Sequence, residues 1–431
     1  MSRVVVIGAG VGGLAAAVRL AAAGHRVVVH ERAPQAGGKL GRYARDGFLF
    51  DTGPSLFTLP QVFADLDLGL TPEPLDPVVR HVFPDGSVLD SSSSHEEFLA
   101  RITAAFGPEA AADWHRFWRR AARIWTASWR SVLQEPVTPA SLAALSWRVG
   151  DLLAIAPGRS LRALGRRYLR DPRLRMLLDR YATYTGADPR RAPAALAAIP
   201  YAELAFGGWY LPGGLGTLAD ALLARCRALG VEVVLGSAVD RIETESGSVR
   251  GVCLGSGAFV PADVVVSNVD ALTVYRDLLP TPSRLAGLSD RSLAGLVLLL
   301  GVRGETPALA HHTVFFPRHY DAEFDAVFGD PSRGVRARPP DDPAVVVTRA
   351  ADPAVRPPGD EAWFVLVNAP PYGTGWSAVD WRRPGLAEAY RDHVLAVLAA
   401  RGLDVRHRLR FAEVRTPADL ADATAAPGGA I

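Results

Sequence analysis

Residues 4–54 read VVVIGAGVGGLAAAVRLAAAGHRVVVHERAPQAGGKLGRYARDGFLFDTGP, and this stretch decides the fold. Its first apolar run, Val4 to Ile7, is typical of a strand buried on both faces. An Ala- and Leu-rich helical segment, Leu14 to Ala23, comes next, and after Gly24 a second apolar run occupies Val27 to Val29. The stretch therefore predicts a strand–helix–strand unit of a parallel sheet.

Four glycines stand where the first predicted strand meets the helix. Gly8 allows a tight turn, and Gly10 lets the main chain approach a pyrophosphate. Gly13 lets the helix pack close to the strand. The N-terminus of the helix then offers unpaired N–H groups and a partial positive charge to the phosphates. We therefore predict that Gly8, Gly10, Gly12 and Gly13 belong to a dinucleotide-binding site.

Glu31 stands at the end of the second predicted strand. A carboxylate there accepts hydrogen bonds from both ribose hydroxyls of an adenosine, and it repels a 2′-phosphate. The predicted nucleotide is therefore FAD or NAD, and not NADP. Two plainer interpretations are a helix turn that tolerates glycines and the apolar core of a signal peptide. The glycines and Arg19 interrupt the apolar run, which argues against the signal peptide.

The next segment carries Gly37-Gly38-Lys39 and, after an aromatic run, Asp51-Thr52-Gly53-Pro54. On these motifs the chain resembles the FAD-dependent amine-oxidase superfamily and, within it, the bacterial phytoene and carotenoid desaturase family. The resemblance implies that the cofactor is FAD. Lys39 stands where the family usually has arginine, which keeps the positive charge but loses the planar fork. Arg42 is a candidate to replace that arginine.

Later segments extend the resemblance. Family members use the strand beginning at Val239 to meet the adenine through its backbone, and the run 262–270 returns the chain to the nucleotide domain. The glycine-rich stretch 206–214 matches a motif that passes close to a flat ring or a long chain; an ordinary glycine-rich turn is the alternative. The predicted cofactor-binding residues are Gly8, Gly10, Gly12, Gly13, Glu31, Arg32, Gly38, Lys39, Gly53, Pro54, Val239 and Asn268.

Composition sets the outer limits on function. The chain has 431 residues, of which 49 % are hydrophobic and 21 % charged, so it is long enough for two or three domains. A formal net charge of +2 does not by itself predict a partner, and we expect no nucleic-acid partner. Cys226 and Cys253 lack metal-ligand spacing, so no metal site is predicted. So few cysteines favour a reducing cytoplasm.

In the region 114–191 arginines far outnumber acidic residues. Its first helical segment places Trp114, Trp118, Trp125 and Trp129 on one face and arginines on the other. Such a helix can lie in a membrane interface; a surface helix that packs its tryptophans into its own core is the alternative. No apolar run is long enough to span a membrane, so we expect peripheral contact with the inner face of the cell membrane.

The predicted fold class is α/β, with a Rossmann-like FAD-binding domain, a β-sheet substrate domain and an inserted helical region. The predicted segments are 1–90 (FAD-binding domain, first part), 91–200 (helical region), 201–280 (FAD-binding domain, second part), 281–405 (substrate-domain sheet and helix) and 406–431 (return toward the FAD-binding domain). Strands of the substrate-domain sheet are predicted within 293–302, 313–316, 344–347 and 363–367. The segment 416–431 resembles a family sequence that continues into a last FAD-binding motif, so the resemblance implies C-terminal truncation and leaves the activity of the 431-residue chain open.

The resemblance implies FAD-dependent desaturation of a carotenoid or another polyene such as phytoene, taken from a membrane. Loss of a hydride from an allylic carbon makes the neighbouring proton acidic, so no strong base is required and no catalytic side chain is predicted. The alternatives are a desaturase of hydroxylated carotenoids or a carotenoid cis–trans isomerase, a soluble flavin amine oxidase with a small polar substrate, and a non-catalytic carotenoid-binding protein.

Overall fold

The computed structural model describes residues 1–129, 138, 149–280 and 292–431. Its strands, in chain order, are β1 (Arg3–Ile7), β2 (Arg26–His30), β3 (Arg42–Arg45), β4 (Phe48–Asp51), β5 (Glu73–Pro74), β6 (Arg80–Val82), β7 (Val88–Asp90), β8 (Trp209–Tyr210), β9 (Glu232–Val234), β10 (Val239–Glu245), β11 (Ser248–Leu254), β12 (Phe259–Pro261), β13 (Val264–Ser267), β14 (Ala294–Arg303), β15 (His312–Phe315), β16 (Val345–Arg349), β17 (Asp360–Ala369) and β18 (Leu409–Arg415).

The helices between these strands are α1 (Val11–Ala22), α2 (His95–Phe106), α3 (Pro108–Ser128), α4 (Val149–Ile155), α5 (Leu161–Tyr168), α6 (Pro172–Arg180), α7 (Ala198–Phe206), α8 (Gly216–Ala228), α9 (Ala271–Thr273), α10 (Tyr320–Phe328), α11 (Leu386–Ala400) and α12 (Pro417–Thr424). A 3₁₀ turn, Tyr181–Thr185, continues directly from α6.

The first sheet is parallel and has the strand order β13-β1-β2-β9. Its central strands are runs of valine that pack against α1 and α8 in one apolar core. Because these strands are buried on both faces, their sequences are continuous apolar runs. The predicted strand–helix–strand unit and the α/β fold class are therefore confirmed.

The second sheet is mixed and has the strand order β18-β14-β17-β16-β15-β6-β7. The strands predicted for a substrate-domain sheet form β14, β15, β16 and β17 within it. One face of the sheet packs against α11. The opposite face carries Val297 and Leu299, which meet Phe48 and Phe50 from β4. A sheet covered on both sides is a rigid support for whatever lies beside it.

Helices α2, α3, α5, α6 and α7 form a layer that packs against the second sheet through a large apolar core, and α4 contacts α3. Polar side chains cap several of these helices: Ser94 accepts a hydrogen bond from the Glu97 N–H at the start of α2, and Asp171 accepts one from the Arg173 N–H at the start of α6. Each cap satisfies a backbone donor that the first helical turn leaves unpaired.

The structure corrects the interpretation that four tryptophans of α3 share a membrane-facing surface. Trp114 is fully buried, and it packs edge-on against Phe98 at 5.4 Å between ring centroids. Trp118 is half-buried and stacks on His95. Trp114 therefore faces the core, whereas Trp118, Trp125 and Trp129 are half-buried.

The division into five segments stays a prediction. Strands β6 and β7, from the segment 1–90, lie in the second sheet beside β15. Strand β18 also lies in the second sheet, at its edge beside β14, and α12 follows it and contacts the 3₁₀ turn Gly38–Leu40.

Candidate functional site

A cleft of about 920 Å³ opens beside the carboxyl end of β1. That volume lies near the upper end of the range of roughly 300–1,000 Å³ for small-molecule pockets. Nine of the predicted cofactor-binding residues line the cleft: Gly8, Gly10, Glu31, Arg32, Gly38, Lys39, Pro54, Val239 and Asn268. Segments far apart in the chain thus meet where the sequence motifs require a nucleotide.

The glycine turn has no room for side chains. Gly8 has a φ of +96°, which disfavours any other residue. A Cβ on Gly10 or Gly12 would stand 2.7 or 2.5 Å from the side chain of Asn268, and a Cβ on Gly13 would stand 2.1 Å from the carbonyl oxygen of Gly8. Gly12 and Gly13 do not line the cleft; they let α1 and Asn268 close around the turn.

The N-terminus of α1 is open to an anion. Its N-cap is Gly10, which has no side chain to cap the helix, and its first turn contains no acidic residue. The first N–H groups of a helix have no partner within the helix, and they carry the positive end of its dipole. A phosphate in the cleft would accept hydrogen bonds from these N–H groups and would be attracted by the positive end of the dipole.

Glu31 is held in place by the turn that it supports. One carboxylate oxygen accepts a hydrogen bond from the Ala9 N–H at 2.7 Å, and the other accepts one from the Ala33 N–H at 2.9 Å. Each oxygen keeps a further lone pair for a ribose hydroxyl. Next to Glu31, the buried ring of His30 contacts Ser237 through Nδ1, while its Nε2 has no partner among the described residues. A ligand in the cleft, which His30 also lines, can supply that partner.

Gly53 does not line the cleft; it is required by the fold. A Cβ on Gly53 would stand 1.8 Å from the carbonyl oxygen of Lys39, so the two motif segments touch through their backbones. Asp51 accepts hydrogen bonds from the N–H groups of Leu215 and Gly216, which fixes the start of α8. Arg42 does not line the cleft and pairs with Asp220, and its role as a replacement for the family's arginine stays a prediction.

One wall of the cleft comes from a segment to which the sequence assigned no site residue. Residues Ala423 to Ala426, at the end of α12, line the cleft. Thr273 donates a hydrogen bond to the Ala425 carbonyl at 2.9 Å, and Lys39 reaches the Ala430 carbonyl at 3.3 Å. Small, apolar residues give no chemical signal in a sequence, so only the packing of α12 identifies them.

A parallel sheet with a glycine turn, an uncapped helix N-terminus and a fixed carboxylate defines a dinucleotide-binding protein. Comparison with known proteins narrows this class. The family model described as flavin containing amine oxidoreductase matches residues 11–294. A 4,4′-diapolycopene oxygenase from Methylomonas sp. is 34 % identical over 97 % of this chain and 85 % of its own length.

Two further comparisons agree with that result. A hydroxyneurosporene desaturase from Cereibacter sphaeroides is 34 % identical over 86 % of this chain and 76 % of its own length. The fold is shared with an oxidoreductase from Methanosarcina mazei, with a TM-score of 0.61, 18 % identity, and coverage of 96 % of this chain and 87 % of that one.

The chain belongs to the flavin-containing amine oxidoreductase family and, within it, to the carotenoid desaturase-like group. It is an FAD-dependent oxidoreductase, and the residues of the cleft fit FAD. The glycine turn and the α1 N-terminus would hold the pyrophosphate, and Glu31 the ribose. The individual cofactor contacts stay predictions.

Within residues 1–129, 138, 149–280 and 292–431, no helix combines the length and apolar character needed to cross a bilayer. The same part of the chain contains no group of three or more His, Cys, Asp or Glu side chains placed to hold a metal ion.

Proposed function

We propose that this protein is a carotenoid desaturase, which uses FAD to introduce a double bond into a polyene. The observation that carries the proposal is the similarity, over most of the chain, to two enzymes whose names specify carotenoid substrates. Apolar side chains beside the cofactor cleft, such as Leu56, Phe57 and Phe63, support an apolar substrate.

FAD, when bound, supplies the acceptor for the hydride that leaves the polyene. The protein's own contribution is to hold the cofactor through the α1 N-terminus and Glu31, and to keep the reacting carbons away from water. The proton on the carbon next to the one that loses the hydride becomes acidic. The reaction therefore needs a positioned polyene more than a strong base.

We also propose that the protein works at the inner face of the cell membrane, because its substrate dissolves in lipid. The supporting feature is an aromatic patch that consists of Trp125, Trp129, Tyr201 and Phe206. Trp125 packs against Trp129 and Phe206, with ring centroids 4.9 and 5.4 Å apart, and Phe206 is 37 % exposed. Exposed arginines on α3, among them Arg119 and Arg123, suit contact with anionic lipid headgroups.

A second candidate reaction is oxygenation of the polyene. The relative with 34 % identity over 97 % of this chain is named an oxygenase, which favours this candidate. Desaturation removes two hydrogens from the polyene and lengthens its conjugation. Oxygenation adds oxygen. The mass of the product therefore separates the two reactions.

The test uses the full chain, loaded with FAD and mixed with vesicles that contain phytoene or a hydroxylated carotenoid. We expect products that lack pairs of hydrogens and absorb at longer wavelength. Products that gain oxygen would replace the proposal by the second candidate. Bound flavin with no change in any polyene, together with oxidation of small amines, would reject both.

A further inference from the structure

A set of six polar side chains, five of them buried, lies between the helical layer and the second sheet, and we call it the buried polar cluster. Its members come from α6, the 3₁₀ turn, α7, α10, β6 and β15; they are Arg180, Tyr184, Glu203, Tyr320, His81 and His312. The charge of Arg180 interacts with all five of the other members. The cluster is outside the cofactor cleft.

The two histidines project from the same face of the second sheet. His81 on β6 is the register partner of Val314 on β15, and His312 is two residues before Val314. Side chains two residues apart on a strand share a face. Both rings are buried, at 0 % and 4 % exposure.

The charges of the cluster balance. Arg180 is 7 % exposed and Glu203 is 2 % exposed. Glu203 accepts hydrogen bonds from the hydroxyls of Tyr181 and Tyr184 at 2.7 and 2.8 Å, one on each carboxylate oxygen. The guanidinium of Arg180 lies over the ring of Tyr184, 5.1 Å from its centroid. A charged ligand would leave this neutral pair with an uncompensated buried charge, whereas a neutral polar group would not.

Four atoms of the cluster have no hydrogen-bond partner among the described residues. They are Arg180 Nη1, the Tyr320 hydroxyl, His81 Nε2 and His312 Nδ1. Buried polar atoms in native proteins nearly always have partners, because leaving one unpaired costs about 1–3 kcal/mol. Four unpaired atoms on residues grouped around Arg180 therefore point to a missing group, which is either water or part of a ligand.

The missing group must both donate and accept hydrogen bonds. Arg180 Nη1 can only donate. His81 Nδ1 lies 3.1 Å from the Leu89 carbonyl, and a carbonyl can only accept, so Nδ1 carries the proton and Nε2 is an acceptor. A hydroxyl matches this pair, because its oxygen accepts from Arg180 while its proton is donated to His81. A ketone or an aldehyde only accepts.

The cluster is one hydrogen bond away from the cofactor cleft. His312 Nε2 contacts the Ser55 hydroxyl at 3.1 Å, and the residues on either side of Ser55, Pro54 and Leu56, line the cleft. On its other side the cluster reaches accessible surface, because Tyr184 is 38 % exposed. The cluster therefore extends from the cleft wall to accessible surface.

We propose that the buried polar cluster binds a hydroxyl group at one end of the polyene substrate. This proposal rests on the proposed function and deepens it, because it makes the protein selective for hydroxylated polyenes over hydrocarbons. A site built to hydrogen-bond a hydroxyl disfavours an analogue that lacks it, since its own polar atoms are then left unpaired.

The test compares a linear polyene carrying one terminal hydroxyl with the hydrocarbon of the same length and conjugation. Both are offered in vesicles to the full chain loaded with FAD. Their binding is measured by quenching of tryptophan fluorescence, and their turnover as kcat/KM. We expect the wild-type protein to prefer the hydroxylated polyene by about tenfold to a hundredfold in both measurements.

Three variants test whether the preference for the hydroxylated polyene depends on the buried polar cluster. Tyr320→Phe removes a hydroxyl that has no partner among the described residues, so it should fold normally and lower the preference by roughly fivefold to tenfold. Arg180→Met should abolish the preference. Tyr390→Phe is the matched control, since its buried hydroxyl bonds to the Pro340 carbonyl outside the cluster, and it should keep the wild-type preference. If Arg180→Met does not fold, Tyr320→Phe alone decides.

Several results would overturn the proposal. Equal use of the two polyenes by the wild-type protein, or an unchanged preference in Tyr320→Phe, would mean that the cluster holds only water, while the proposed function would stand. A stronger preference for a polyene with a terminal aldehyde would contradict the hydroxyl assignment. Failure of the wild-type protein to bind or convert either polyene would reject the proposed function together with this one.

Discussion

The cofactor cleft and the buried polar cluster are built in opposite ways. The cleft is made largely of backbone: a glycine turn, a helix N-terminus and a carboxylate held by two backbone N–H groups. The cluster is made of side chains that four helical segments and two strands bring together. A site made of backbone loses its fold and its ligand when a side-chain atom is added to it. A site made of side chains changes its selectivity when a side-chain atom is removed. The two regions should therefore respond differently to small substitutions.

The largest effect is expected at Gly13, because a Cβ there would stand 2.1 Å from a backbone oxygen that cannot rotate away. Gly13→Ala should lower the free energy of unfolding by about 3 kcal/mol, at the upper end of the usual cost of overpacking, and should release flavin. Gly150→Ala in α4 is the control, since no atom of the other described residues, apart from its chain neighbours and its own helix backbone, lies within 4 Å of its Cβ position. Chemical denaturation of both variants checks this, and equal stabilities would show that the turn can relax.

The next effect is expected at Glu31, whose carboxylate is fixed in the cleft by two backbone N–H groups. Glu31→Ala should raise the dissociation constant of FAD about tenfold to a hundredfold, because hydrogen bonds to a charged group contribute about 1.5–3 kcal/mol. The substitution also frees the Ala9 N–H that Glu31 holds. Titration of the apoprotein with FAD measures the constant. Glu305→Ala, at an exposed glutamate outside the cleft, should bind FAD as the wild-type chain does; an equal affinity in Glu31→Ala would contradict the assignment.

The buried polar cluster should affect how the free energy of unfolding depends on pH. Burial, and then the positive charge of Arg180, lowers the pKa of His81 from 6.5 to about 3. Below pH 6.5 the unfolded chain takes up a proton at this residue that the folded protein does not. The free energy of unfolding should therefore fall, by about 1.4 kcal/mol per pH unit, as the pH is lowered from 6 to 4.

The variant His81→Asn isolates this contribution. Groups of opposite sign, such as Glu323, whose pKa burial raises to about 7, are present in both proteins and cancel in the difference. We expect the wild-type chain to lose stability relative to His81→Asn as the pH falls over this interval, in urea titrations at each pH. Parallel pH profiles would mean that His81 is protonated in the folded protein.

The smallest effect is expected at the aromatic patch. Trp125→Ser combined with Phe206→Ser should weaken flotation with anionic vesicles by roughly threefold to tenfold, because apolar burial and attraction to headgroups act together. Higher salt should weaken it further. Trp376→Ser removes an exposed tryptophan on another part of the surface and should leave flotation unchanged. Identical flotation of all three proteins would remove the support for membrane contact through this patch.

The sequence was sufficient where a structure depends on local spacing. The glycines after β1 and the glutamate after β2 lie within about thirty residues of one another, and the backbone between them has one way to connect a buried strand to a helix and a second strand. Continuous apolar runs likewise predicted strands of the second sheet, because most positions on both faces of these strands are buried. Neither prediction needed a knowledge of distant contacts.

The sequence could not predict which residues on the tryptophan face of α3 are buried, because that depends on the tertiary structure. The spacing of Trp114 and Trp125 puts them on one face, but packing against Phe98 buries the first while the second stays half-exposed. The cleft wall at Ala423 to Ala426 and the unpaired atoms around Arg180 also come from segments far apart in the chain. Local spacing determines the direction of a side chain relative to its own helix or strand, whereas its neighbours depend on how all the helices and strands pack together.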